Sequence, residues 1–222
     1  KSDIYFPLGL DGGRQRFRLQ PHGGFDFRTN DEFLRRRPGA DTPRLELEGG
    51  VATVGFSLPA KPTFRTLQEE SLPIVTTRWE RDGVGIEQVA FVTMLGGTPA
   101  NAPPPPADAV TVWLARFIFT NATSEARTAS LPLSFNAGDK SLALHADADG
   151  LLWIGDKVRG QFIANAAPGG EQTKLHWNWT LAPGESRNLV LKIPYVVLTE
   201  PAEYTALRQL DFETERQAVA GF

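Results

Sequence analysis

The chain contains no cysteine, which excludes disulfide bridges, thiolate metal sites and a cysteine nucleophile. That absence fits any compartment and places the protein in none. Histidine is scarce as well: His22, His145 and His176 are the only three, and none has a second histidine two or four residues away. His176 falls on the polar side of its segment, where a solvent-facing residue is expected rather than a metal ligand. No apolar run approaches the roughly 20 residues that a helix needs to span a bilayer. The net charge is only -3, with 22% charged residues, so neither nucleic acid nor an acidic membrane surface is expected as a partner. A G-x-S-x-G elbow and a phosphate-cradling glycine loop are both missing. No motif asks for a cofactor, and none is expected. The chain also begins at Lys1 without an initiator methionine or a signal peptide, and it reads as an excised or processed piece.

What is present is β-type sequence. The organising stretch is Leu72 to Met94, LPIVTTRWERDGVGIEQVAFVTM, in which two runs of β-branched and aromatic residues flank Asp82-Gly83. An Asp-Gly pair between such runs predicts a hairpin, because a tight primed turn needs positive φ at its centre. Val75, Thr77 and Trp79 share one face of the first arm. Both faces of the second arm are apolar, which predicts a strand covered on two sides. Ala109 to Thr120 has the same two-sided character, with Trp113, Ala115, Phe117 and Phe119 on one face. Lys174 to Leu181 (KLHWNWTL) alternates cleanly, Leu175, Trp177, Trp179 and Leu181 facing in. Further strands are expected at Ile4 to Phe6, Phe17 to Leu19, Arg127 to Asn136, Ser141 to His145, Leu151 to Gly155, Val158 to Ala164 and Leu189 to Ile193. A hairpin is expected across Leu45 to Leu58, centred on Gly49-Gly50. Loops are expected at Ser57 to Arg65 and at Gly96 to Asp108, where Pro103 to Pro106 cannot enter a sheet interior. Arg35-Arg36-Arg37 reads as a solvated face rather than an anion site. From Pro201 to Gln217 the spacing of Tyr204, Leu207 and Leu210 predicts one helix, with Pro201 in its first turn. The expected fold is all-β, a large antiparallel β-sandwich over residues 1–200, followed by a short helical linker over 201–222 that leads toward a further domain.

Five tryptophans raise the matter of sugar stacking. Trp113, Trp177 and Trp179 are in phase with aliphatic residues and are expected in the core. Trp79, near the hairpin tip, and Trp153, beside acidic turns, are the two expected to be exposed, with Glu80 and Glu87 as the neighbouring carbohydrate-contact candidates. The carboxylates Glu69, Glu70, Glu80, Asp82 and Glu87 gather around the hairpin. Glycoside hydrolysis needs two carboxyl groups about 5 to 10 Å apart across the bond, and clustering near a turn does not supply that arrangement. No residue is therefore assigned as catalytic. Asp147-Ala148-Asp149-Gly150 has carboxylates at alternate positions, so Asp147 and Asp149 are weak metal candidates. The distal bidentate Glu of a calcium loop is missing, and a plain Asp-Gly turn is the expected reading. Two sequons occur, Asn121-Ala122-Thr123 and Asn178-Trp179-Thr180.

Three segments resemble a known family: LPIVTTRWERDGVGIEQVAFVT, AVTVWLARFIFTNAT and LAPGESRNLVLKIPY. They are similar to the amino-terminal β-sandwich ("supersandwich") domain of multidomain bacterial glycoside hydrolases, in which it precedes a catalytic α/α toroid of the six-hairpin type. The terminal LRQLDFETERQAVAGF is similar to the helical linker leading into such a toroid. The resemblance covers roughly residues 72 to 222 and is structural, so it carries over no catalytic residue. It implies a non-catalytic accessory domain whose partner is the carboxy-terminal toroid, with an extracytoplasmic (secreted or periplasmic) location. Two other classes remain: an independent carbohydrate-binding module that holds a polysaccharide or oligosaccharide, and a glycosidase in its own right.

Overall fold

The computed structural model describes residues 4–11, 13, 15–28, 51–97, 109–171 and 173–221. The arginine run at 35–37, the Gly49-Gly50 turn and the proline run at 103–106 lie outside the described residues. Among the described residues, sixteen strands form two antiparallel eight-stranded sheets that pack face to face as a β-sandwich. The first sheet runs β1 (Phe6–Leu8), β2 (Phe17–Leu19), β3 (Phe25–Arg28), β4 (Val51–Gly55), β9 (Arg127–Ala137), β15 (Lys174–Leu181) and β14 (Gly169–Glu171), with β10 (Lys140–Ser141) paired to β9. The second runs β11 (His145–Ala146), β12 (Leu151–Ile154), β13 (Lys157–Ala164), β16 (Ser186–Pro194), β8 (Thr111–Asn121), β7 (Val84–Met94), β6 (Leu72–Arg81) and β5 (Phe64–Gln68).

The period-2 patterns decide which side chains meet between the sheets. Trp113, Phe117 and Phe119 on β8 are fully buried, as are Leu131, Leu133 and Phe135 on β9. Trp113 lies 4.4 Å from Phe25 and is stacked on Phe56, while Phe162 of the second sheet meets Trp177 of the first edge-on at 5.3 Å. Asn121 closes β8 and is wholly buried. Its amide donates to the Glu125 and Leu181 carbonyls, and its carbonyl accepts from the backbone and hydroxyl of Thr123. That sequon is therefore consumed by the fold, whereas Asn178 is exposed on β15.

Several expectations need correction. Ser141 to His145 is not one strand: Lys140–Ser141 belongs to the first sheet and His145–Ala146 to the second, so the chain crosses between layers at Leu142 to Leu144. Part of the expected loop before the hairpin is strand, because Phe64–Gln68 pairs along β6 as the sheet edge. The single terminal helix is two, α1 (Pro201–Gln209) and α2 (Phe212–Ala220). Asp211 caps α2, its carboxylate accepting from the Thr214 backbone N–H, and this helix start ends the previous one.

The two helices make a third layer on the outer face of the second sheet. Phe212 packs on Phe91 at 5.2 Å and under the Arg116 guanidinium, which also pairs with Glu213. Buried Glu215 accepts from the Thr93 hydroxyl. Lys192, fully buried, donates from Nζ to the Leu207 and Arg208 carbonyls at the end of α1, both at 3.0 Å. These carbonyls lie in the last turn, where the helical hydrogen-bond pattern runs out; that of Leu207 also accepts the Leu210 N–H at 3.4 Å, and the ammonium adds a donor to both and complements the negative helix end. Burial lowers the Lys192 pKa from 10.5 to about 8, against the opposing pull of Asp211. Above pH 8 the native ammonium loses its proton while the unfolded chain keeps it up to about 10.5. Stability is therefore expected to rise from pH 8 to pH 10 relative to Lys192→Met, whose stability lacks that contribution. Paired urea titrations of the two proteins measure the difference, and parallel profiles would refute it.

Candidate functional site

The hairpin turn has φ of 55° at Asp82 and 78° at Gly83, the positive pair that a two-residue primed turn demands. It sets the register Trp79↔Ile86, Arg78↔Glu87 and Glu80↔Gly85. Odd-numbered residues of β6 then face the sandwich interior and even-numbered ones face outward. The outward rows continue across the sheet: Phe64, Arg78, Glu87, Ile118 and Asn188 in one, and Glu80, Gly85, Thr120 and Ser186 in the next.

These rows belong to the half of the outer face that the helices leave open. A groove of about 550 Å³ lies there, lined among others by Thr63, Arg78, Glu80, Gly85, Glu87 and Thr120. Arg78 Nε donates to Glu87 Oε2 at 2.6 Å, and its guanidinium lies 5.1 Å from the Phe64 ring centre. Phe64 nonetheless remains 45% exposed. The Thr120 and Ser186 hydroxyls bond to each other at 2.8 Å. The Glu80 carboxylate is exposed and has no hydrogen-bond partner among the described residues. Gly85 leaves a gap in the floor, since an added Cβ would meet only the Thr120 carbonyl, at 3.7 Å.

The structure thus brings Glu80 and Glu87 together on adjacent strands but does not join them to the tryptophans. Trp79 is 2% exposed and points inward. A Cβ on Gly23 would stand 3.0 Å from its ring, in contact with Leu58 as well. The expectation that Trp79 is exposed is therefore wrong: its period-2 phase with Val75 and Thr77 outweighs its closeness to the turn. Trp153 is half-buried, five strands from β6 and so roughly 24 Å away at the spacing of hydrogen-bonded strands. Its indole donates to Asp147 Oδ2 at 2.9 Å, with His145 stacked beside it and Tyr204 of α1 edge-on.

Asp147 and Asp149 are both engaged. Asp147 Oδ1 accepts from the backbone N–H groups of Asp149 and Leu151, which shapes the turn at Gly150. Asp149 pairs with Arg208 at 2.7 Å. No cluster of three or more His, Cys, Asp or Glu side chains suited to a metal occurs among the described residues. Sequence reasoning missed Arg78, Gly85 and Phe64. The register of the hairpin carried the signal for Arg78 and Gly85, since both follow from pairing outward from the Asp-Gly turn. Chemically the groove offers carboxylate acceptors, guanidinium donors and hydroxyls on an open sheet face. That is a surface for holding a polar ligand, not an enclosed cleft for proton transfer. Compared with protein-family models the chain matches none, and curated proteins provide no match either.

Proposed function

We propose that this chain is a non-catalytic accessory domain of a bacterial carbohydrate-active enzyme, of the amino-terminal supersandwich type, which packs against a catalytic α/α toroid of the same protein. The reading rests on the likeness of its hairpin, its central strand and its last strand to that family. The observation that carries it structurally is the third layer: α1 and α2 are fastened to the sheet by Lys192, Arg116 and Thr93, so they form a firm mount for whatever adjoins them. Two stacked sheets make a rigid body, and rigidity is what a scaffold contributes to a neighbour.

The test is made in the parent protein. Deleting residues 1–200 is expected to lower the melting temperature of the catalytic part by roughly 5 °C or more, as the loss of a stabilising interface does. The 222-residue chain on its own is expected to show no glycosidase activity. An unchanged melting temperature after the deletion, or hydrolysis by this chain alone, would overturn the reading.

A further inference from the structure

The geometry points to the groove over β6, β7 and β8 as a binding site for a short neutral oligosaccharide. Its volume of about 550 Å³ lies within the roughly 300–1,000 Å³ of small-ligand sites. Among the described residues, three charged side chains line it, Arg78, Glu80 and Glu87. The one cation of the three is already bonded to Glu87, so a phosphate, sulfate or uronate would find no uncommitted positive charge among these described groups and would meet the Glu80 carboxylate. A hydroxyl-rich neutral ligand suits the same groups. Sugar hydroxyls donate to the unpartnered Glu80 carboxylate and accept from the guanidinium N–H groups that Arg78 does not use on Glu87. Bonds in which one side is ionised are the stronger ones, and the Arg78–Glu87 pair, joined through Nε and Oε2, leaves further guanidinium N–H donors and a carboxylate oxygen for a ligand.

Apolar surface supplies the remaining contacts. Ile118 lies in the floor beside the Gly85 gap, and half-exposed Phe64 follows Thr63 at the edge of the same row. The C–H faces of a pyranose can pack on such groups while its hydroxyls reach the rows on either side. Gly85 is the position that makes room, because any larger residue would project into the groove from its middle strand. The proposal is separate from the accessory-domain reading: a scaffold without a sugar site and a sugar site on a free-standing module are both possible molecules.

The experiment is an NMR shift titration of the 222-residue chain with maltotriose, cellotriose and xylotriose, with trigalacturonate as the charged control. At least one neutral trisaccharide is expected to bind saturably, with shifts confined to β6, β7 and β8, while trigalacturonate does not bind. Gly85→Leu fills the gap without backbone strain and Glu80→Gln removes the acceptor charge. Each is expected to weaken binding about tenfold or more at an unchanged melting temperature. Absence of saturable binding by all three neutral sugars would overturn the proposal, as would binding that Gly85→Leu leaves intact. If Gly85→Leu instead weakens association with the parent's catalytic domain while sugars do not bind, the groove is a protein contact and the proposal fails. The deletion and hydrolysis tests of the accessory reading share no readout with this one.

Discussion

Trp79→Ala is expected to destabilise the domain by about 3–5 kcal/mol, the range for emptying an aromatic site in a packed core. The ring is 2% exposed and fills the space beneath Gly23 and Leu58, so little of the void can collapse. Trp79→Phe is the companion variant. The indole Nε1 is buried without a hydrogen-bond partner among the described residues, so phenylalanine keeps most of the apolar contact and removes an unsatisfied donor. Its loss is expected to stay below about 1.5 kcal/mol. Urea denaturation of the three proteins reads both values. A small loss for Trp79→Ala would mean that the ring contributes through its surface rather than through the core.

The second large effect has the opposite sign. Arg159 is fully buried between the sheets, its guanidinium 4.9 Å from the centre of Phe27 and 5.7 Å from that of Phe135. Among the described residues its one hydrogen bond is a long one of 3.5 Å to the Tyr195 carbonyl, while Nε and Nη1 have no partner there. Burial pulls its pKa from 12.5 down to about 9, which reflects how poorly the charge is compensated. Cation–π contacts return about 2 kcal/mol when desolvated, and a buried ion without a counter-charge loses several. Arg159→Met, which keeps length and apolar contact, is therefore expected to raise stability by about 2 kcal/mol. A lower denaturation midpoint in the variant would show that the aromatic contacts outweigh desolvation.

Arg159 also shows where sequence reading ends. It is the extra residue of a bulge on β13: Leu152 pairs with Gly160 and Trp153 with Val158, so Arg159 has no partner on β12. A Cβ on Gly160 would come within 2.7 Å of Ile193. A one-residue bulge resets which side chains face inward; the lone glycine of VRGQF is consistent with a bulge but does not say which residue loses its partner. Strands without such a fault were legible. KLHWNWTL alternates in the chain and in the fold, and the Asp-Gly turn set the β6–β7 register that positions Arg78 opposite Glu87. The break between the terminal helices was also there to read, since Asp211 and Thr214 stand at capping distance before an amphipathic run. Strand β5 was obscured by Pro59 and Pro62 just ahead of it, and an edge strand has only one neighbour to impose a pattern. The groove needed three dimensions, because Phe64, Gly85 and Ile118 come onto one face only through strand pairing.

The position of β16 has a consequence for how the molecule is made. It pairs on one side with β13 and on the other with β8. Until residues 186–194 leave the ribosome, the second sheet exists only as two fragments, β5 to β8 and β11 to β13, each with a long unsatisfied edge. Non-local closure of this kind is slow, and open edges are templates for the wrong partner. The nascent chain is thus most vulnerable to aggregation or strand exchange just before its last strand arrives, and a prematurely terminated product lacking β16 has two sticky edges and no means of joining them.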